Sequence, residues 1–200
     1  QTPELRERIE QGGVIGYIIL GLGALALIAA LERLITLSII QLRIRSQAKR
    51  PKHPAANPLG RILGVYHNSR HLDSETLELK LSESILEESL KVQKRVSIIK
   101  IIAVVSPLLG LLGTVTGMII TFQAITLFGA GDPKLMSGGI SQALVTTVLG
   151  LSVAIPSLLL HAVVQGRVKQ ITEVLEQQAV GMIAEQSEAQ AAQVVQNRMA

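Results

Sequence analysis

Two long uncharged segments limit what this chain can fold into more than any other feature of its sequence. Between Lys100 and Lys134 the only charged residue among 33 is Asp132, and the 32 residues of 135–166 carry no charge. A helix needs about 20 mainly apolar residues to cross the hydrocarbon core of a bilayer. Each segment is long enough to cross with residues to spare. The sequence therefore predicts two transmembrane helices joined by a tight turn.

A third apolar segment precedes these two. Residues 14–31 carry no charge, and the apolar pattern continues over residues 34–40 beyond the pair Glu32 and Arg33. The alternative for this segment, a cleaved signal anchor, is disfavoured by its length. Composition agrees with a membrane location, because 48% of the 200 residues are apolar and the mean hydropathy is +0.42. The fold class that we expect is an all-α integral membrane protein with three transmembrane helices.

The pattern of charge and hydropathy divides the chain into seven segments. They are a periplasmic amphipathic segment (1–12), the first transmembrane helix (13–40), a cytoplasmic helical loop (41–100), the second transmembrane helix (101–128), a periplasmic turn (129–138), the third transmembrane helix (139–165) and a cytoplasmic C-terminal helix (166–200). Within the loop, Asp73 or Ser74 offers an N-cap to a long helix. This helix is expected to run without a break into the second span.

The distribution of basic residues predicts the orientation. Thirteen of the 19 Lys and Arg residues lie between Arg33 and Lys100. Positive residues remain on the cytoplasmic side, so the N-terminus is expected outside and the C-terminus inside. The net charge is +4, but the basic residues cluster between the apolar segments. This pattern fits membrane topology better than a nucleic-acid partner. Since the chain starts at Gln1 and not at Met, we expect a signal peptide or an exported domain upstream.

Small and hydroxyl side chains recur on one face of each of the last two spans. The second span places Ala103, Ser106, Gly110, Gly113, Thr114, Gly117, Thr121 and Ala124 at steps of three or four. The third span places Gly139, Gln142, Thr146, Gly150, Val153, Ser157 and His161 on a similar stripe, with Thr147 beside it. In lipid such faces pack against another helix or line a polar path. Both alternatives are open from the pattern.

Individual members of these spans also have simpler interpretations. A lone Thr in a membrane helix commonly donates its hydroxyl to a carbonyl three or four residues earlier, which we expect for Thr116 and Thr126. His161 is expected to reach toward the interface. Helix packing is predicted at Gly110, Gly113, Gly117 and Gly150, and kinks are predicted at Pro107 and Pro156.

No Asp or Glu lies within the central part of any predicted span. Membrane proteins that translocate ions usually carry an ionisable group in the path. If protons pass through this protein, its helices supply the walls and another subunit supplies the titrating side chain. The absence of cysteine excludes a thiolate metal site, and no cluster of catalytic residue types indicates an enzyme. We predict no catalytic residue, metal or cofactor.

The segments GLLGTVTG (residues 110–117) and ISQALVTTVLGLSVAIPS (residues 140–157) resemble the ExbB/TolQ/MotA family of proton-driven stator subunits, and the ExbB branch fits best. The resemblance implies a homopentamer in the Gram-negative inner membrane, around a pore that holds helices of an ExbD/TolR-type partner. That partner has one span with an intramembrane Asp. The complex uses the proton-motive force to energise a TonB-type transducer for uptake across the outer membrane.

The resemblance also assigns residues to the ion pathway. Thr114 and Thr147 match the pore-facing threonines of the family, and Thr121, Thr146 and Gln142 complete the predicted lining. Gln142 stands five residues before Thr147, where the family usually has a glutamate, and an amide cannot release a proton near neutral pH. Two alternatives to a proton-driven stator therefore remain: a sodium-driven stator and a non-conducting membrane scaffold of the same fold.

Overall fold

The computed structural model describes residues 10–48, 56–129 and 133–199, and helices are the regular structure among them. We number the helices α1 (Gly13–Ala48), α2 (Pro58–Ser69), α3 (Ser74–Gln93), α4 (Val96–Phe128) and α5 (Pro133–Met199). Three of them, α1, α4 and α5, are long and apolar enough to cross a membrane. The predicted all-α class with three apolar helices of spanning length is confirmed. The surface helix predicted for residues 1–12 lies largely outside the described residues.

The helices form two compact units. The first unit contains the residues up to Glu32 together with Arg95–Val163, and the second contains Arg33–Lys94 and the residues from Val164 onward. The first unit thus holds α4 and the apolar parts of α1 and α5. The second holds α2, α3 and the more polar remainders of α1 and α5.

In the second unit, side-chain caps fix the starts of the two shorter helices. Asn57 Oδ1 accepts a hydrogen bond from the Gly60 amide at 2.9 Å, directly before a proline that suits the first helical position of α2. Asp73 Oδ2 accepts one from the Thr76 amide at 2.9 Å and starts α3. Of the two predicted N-cap candidates, Asp73 and Ser74, the structure shows Asp73. The buried faces of α2 and α3 pack together through Leu59, Ile62, Leu63, Leu77, Leu81 and Val92.

The expected continuous helix from the loop into the second span is wrong. Helix α3 ends at Gln93, and α4 begins at Val96. Between them Arg95 adopts a left-handed conformation with φ of 68°, which is uncommon for a residue with a side chain. In the first unit, the Arg95 guanidinium donates to Glu32 Oε1 at 2.9 Å. This ion pair holds the start of α4 to α1 on one side of the break.

The turn between the last two long helices is shorter than the predicted residues 129–138. Helix α4 ends at Phe128, where Gly129 takes φ of 75° and donates its amide to the Ile125 carbonyl at 2.9 Å. Glycine is favoured at this position because it tolerates positive φ. Helix α5 already begins at Pro133 and continues through Gly166 to Met199. The third span and the C-terminal helix are therefore one continuous helix.

A buried carboxylate ties α3 to α2 in the second unit. Glu88 accepts hydrogen bonds from Arg61 Nε at 2.8 Å and from Lys91 Nζ at 2.7 Å, and its side chain is almost fully buried. Burial raises the pKa of the Glu88 carboxyl, but the hydrogen bonds and charges of Arg61 and Lys91 outweigh burial. The pKa of Glu88 is therefore below its ordinary value. The folded state favours the ionised form of this side chain.

This ion cluster predicts a pH dependence of stability. Because the folded-state pKa is lowered, the contribution of Glu88 is present above the unfolded-state pKa and is lost as pH falls through the folded-state pKa. We expect Glu88→Gln to lower the free energy of unfolding by about 1–3 kcal/mol near neutral pH and by less in acid. Thermal unfolding of the purified protein between neutral and acidic pH measures both effects. Glu78→Gln, at an exposed position on α3, is the control, and an equal pH profile for both variants would contradict the prediction.

Candidate functional site

Helices α4 and α5 approach each other so closely that their backbones touch. A Cβ atom built on Gly117 would lie 2.6 Å from the Gly139 carbonyl oxygen, and one built on Gly139 would lie 2.5 Å from the Gly117 carbonyl oxygen. Real Cβ atoms essentially never come within 3.0 Å of another atom. Glycine is therefore required on both helices at this crossing, as in other close membrane helix pairs.

The close contact continues along the pair. A Cβ atom on Gly113 would lie 2.2 Å from Thr146 Oγ1, and one on Gly150 would lie 2.7 Å from the Ser106 carbonyl oxygen. A Cβ atom on Gly110 would lie 3.0 Å from the Thr146 carbonyl oxygen. The structure thus places Gly110, Gly113, Gly117 and Gly150 in one helix–helix contact. Both helices also run through their prolines, Pro107 in α4 and Pro156 in α5.

Three hydroxyl side chains are buried in this contact and bond to their own helices. Ser106 donates to the Ile102 carbonyl at 2.8 Å, and Thr121 donates to the Gly117 carbonyl at 3.0 Å. Thr146 is fully buried and donates to the carbonyls of two earlier residues of α5, each at 3.0 Å. These positions support a packing role for Thr121 and Thr146, and their place in the ion pathway stays a prediction.

Thr114 and Thr147 border the same contact but remain partly exposed. Thr114 directly follows Gly113, and the Cα of Thr147 lies 3.3 Å from the Cβ position of Gly110. In two antiparallel helices, residues displaced from the contact in the same rotational sense lie on the same side, so both threonines flank one side of the pair. Thr114 donates to the Leu111 carbonyl at 2.6 Å, and Thr147 donates to the Ala143 carbonyl at 3.2 Å. Each hydroxyl oxygen keeps its capacity to accept a further hydrogen bond.

Gln142 lies at a different place from these two threonines. Its Nε2 atom lies 3.0 Å from the Cβ position of Gly13, in the first turn of α1. Next to it, Ser141 donates to Gln11 Oε1 at 2.9 Å. Sequence reasoning grouped Gln142 with Thr146 on one stripe, but a helical wheel does not show which neighbouring helix each edge of the stripe meets. The structure places Gln142 against α1 and Thr146 against α4.

Helix α1 contacts α5 through a further small residue. A Cβ atom on Gly23 would lie 2.8 Å from Val153 Cγ2, so α1 and α5 also approach closely.

Elsewhere in α4, Thr116 donates to the carbonyls of Leu112 and Gly113 at 3.1 and 3.0 Å, and Thr126 donates to the Phe122 carbonyl at 2.9 Å. The expectation that these two hydroxyls are satisfied within their own helix is confirmed.

The outer surface of α4 and α5 in the first unit is mainly apolar. Large side chains of α4 and α5 point away from the contact and are about half exposed; they include Ile101, Val104, Leu108, Leu111, Val115, Leu144, Val148, Ile155 and Leu159. A chain with such a surface, three helices of spanning length and a contact lined by glycines and hydroxyls is a multi-pass membrane protein.

Comparison with known proteins identifies the family. Residues 54–177 match the model of the MotA/TolQ/ExbB proton channel family, and this chain belongs to that family. It is 32% identical over 184 residues to an ExbB-like biopolymer transport protein of Synechocystis sp., covering 82% of this chain and 71% of that protein. It is 30% identical over 179 residues to an ExbB homologue of Methanothermobacter thermautotrophicus, covering 81% of this chain and 63% of that protein. With the ExbB of Helicobacter pylori it shares 38% identity over 85 residues, which cover 42% of this chain and 59% of that protein.

Proposed function

We propose that this chain is an ExbB-like subunit of an inner-membrane motor complex, which uses the proton-motive force to energise a TonB-type transducer for uptake across the outer membrane. The observation that carries the proposal is the pair Thr114 and Thr147, two partly exposed hydroxyls on one side of the close contact between α4 and α5. They form a polar strip beside large exposed apolar side chains of α4 and α5. The biopolymer transport function in the relatives' names supports the same role.

In this proposal the titrating group comes from a partner. The chain has no Asp or Glu in the 31 residues 101–131, and the two threonines can accept hydrogen bonds but do not titrate near neutral pH. A single-span ExbD/TolR-type partner with an intramembrane Asp would supply the carboxyl. Thr114 and Thr147 would accept a hydrogen bond from its protonated form or from water beside it.

Topology and assembly complete the proposal. The concentration of basic residues between Arg33 and Lys100 supports an orientation with α2 and α3 in the cytoplasm and the α4–α5 turn in the periplasm. Several copies, five by resemblance to the family, would surround a central pore. Their threonine strips would face the pore, and the large apolar side chains would meet lipid or neighbouring copies.

Co-expression with a candidate ExbD-type protein tests this function. We expect the intact complex, weighed by native mass spectrometry, to contain five copies of this chain together with the partner. Vesicles that contain the complex should take up protons under an imposed membrane potential, and uptake should disappear when the partner Asp is replaced with Asn. Proton uptake that persists without the carboxyl would contradict the assignment. A sodium-driven stator would instead show a flux that depends on sodium and not on pH.

A non-conducting scaffold is the second candidate. It is favoured by Gln142, which replaces an ionisable residue, and by the hydroxyls of Thr114 and Thr147, whose donors bond to their own helices. A scaffold would assemble with the expected mass but conduct neither ion. If only the Gln142→Glu variant conducted protons, the scaffold would be the better description of the natural chain.

A further inference from the structure

Helix α3 carries a second apolar stripe, which no described part of the chain covers. Leu79, Leu86 and Leu90 are 67%, 62% and 60% exposed. They lie on the side of α3 opposite the buried Leu77 and Leu81, at spacings of seven and four residues. These spacings place them on one narrow face, as in the seam of a coiled coil. In the topology proposed above, this face lies in water, where exposed apolar stripes usually mark an interaction surface.

The leucine stripe, formed by Leu79, Leu86 and Leu90, has an acidic border. Glu83 lies within it and Glu87 beside it, and both are exposed. Glu83 makes no ion pair among the residues that the structure describes, and Glu87 has only a distant one, with Lys91 at 3.9 Å. A surface that combines leucines with carboxylates fits a partner that combines apolar and basic side chains.

Helix α1 of the same chain presents such a surface. Leu42 is 66% exposed and is flanked by the exposed Arg43 and Arg45. Neither arginine makes a hydrogen bond or ion pair within the described parts of the chain. Ile39, one turn earlier, is also exposed. The end of α1 therefore offers the apolar and basic complement of the leucine stripe.

The two surfaces also lie at the same height, measured along the helix axes, in the second unit. Ile40 and Arg43 line a cavity of about 150 Å³ together with Glu88 and Val92, so these parts of α1 and α3 are level with each other. Ser74 at the start of α3 bonds to Gln190, whereas Gln41 bonds to Gln170. Because α1 and α5 run in parallel and α3 runs back along α5, α3 is antiparallel to α1.

We propose that the leucine stripe of α3 binds the end of α1 from a second copy of this chain, with Leu42 opposite Leu90 and Arg45 opposite Glu87. The inference rests on the ring assembly proposed above. In a closed ring the copies are related by rotation alone, so residues of equal height meet across each interface. The contact joins two different surfaces, which is the heterologous type of interface that closes rings. The antiparallel register then brings Arg45 to Glu87.

The exposed face of α5 around Val180, farther along the second unit, is less suitable. Val180 on α5 is 66% exposed, but its surface neighbours include Glu173 and Glu176. Against an acidic leucine stripe these carboxylates would repel. Charge therefore favours α1 over α5 as the element of the second copy that occupies the stripe.

Disulfide trapping tests the interface, because the chain contains no natural cysteine. In the assembled complex, mild oxidation of the Leu42→Cys/Leu90→Cys double variant should give a ladder of covalent oligomers up to the size of the ring. Co-expressed single variants should stop at dimers, which shows that the bond joins two copies. Leu42→Cys/Val180→Cys, with both cysteines at equally exposed positions, should give no ladder. Arg45→Glu should slow crosslinking at low salt by up to about fivefold, and adding Glu87→Arg should restore it.

The mass of the uncrosslinked complex separates the two proposals. A ring of the expected mass that yields no Leu42–Leu90 ladder overturns this interface and leaves the proposed function intact. The stripe would then bind another protein or the membrane surface. A complex without a ring overturns the assembly on which both proposals depend.

Discussion

Replacing Gly117 with alanine should force α4 away from α5 and lower the stability of the purified protein. The added Cβ would lie 2.6 Å from the Gly139 carbonyl oxygen and 2.9 Å from the Ala143 amide nitrogen. Both are backbone atoms of a helix, so no change of rotamer relieves the overlap. Overpacking of this kind costs about 1–3 kcal/mol, and we expect a lower thermal midpoint together with a smaller yield of assembled complex.

Gly166→Ala is the matched control for this variant. Gly166 also lies inside a long helix, but a Cβ atom there meets nothing within 4 Å. Alanine is preferred over glycine in a helix by about 0.5–1 kcal/mol, so this control should raise the thermal midpoint slightly. Opposite signs for the same substitution at two helical glycines would identify backbone contact as the cause. A stable Gly117→Ala complex would show that the two helices are farther apart than the structure places them.

The glycine contact is the part of the site with the clearest signal in the sequence. In a membrane helix, a face of small residues has few uses apart from close packing, and Gly110, Gly113, Gly117 and Gly150 share one contact. The role of the hydroxyls was harder to predict. Thr146 and Thr147 are neighbours in sequence, yet one is fully buried and the other is partly exposed. A turn of 100° separates them, and only the position of α4 decides which side chain it covers.

Two features of the fold left no clear signal in the sequence. The break between α3 and α4 contains neither glycine nor proline, and Arg95 takes positive φ without the residue type that usually permits it. The buried Glu88 appears in the sequence as one of several acids on an amphipathic helix. Its burial depends on Arg61 of α2, 27 residues earlier, and local periodicity does not predict such a pair.

The largest functional effect is expected for Thr147→Val. Valine has nearly the same shape as threonine but cannot accept a hydrogen bond, so the packing next to Gly110 is kept while the polar strip is broken. We expect a complex of unchanged mass in which proton uptake and transducer-dependent transport fall by at least about tenfold, a change in activation free energy of about 1.4 kcal/mol. Thr147→Ser, which restores the hydroxyl, should recover much of the activity.

Thr116→Val provides the control that separates this effect from a general intolerance of valine. Thr116 lies in α4, and like Thr147 it is half-buried and bonds to its own helix. It lies away from the side that Thr114 and Thr147 share. Because both variants lose a hydroxyl that is bonded within its own helix, lost helix bonding alone would affect them equally. Greater sensitivity at Thr147 would show that its oxygen has a second partner in the working complex. Equal activity in the two variants would remove the threonine strip from the ion pathway.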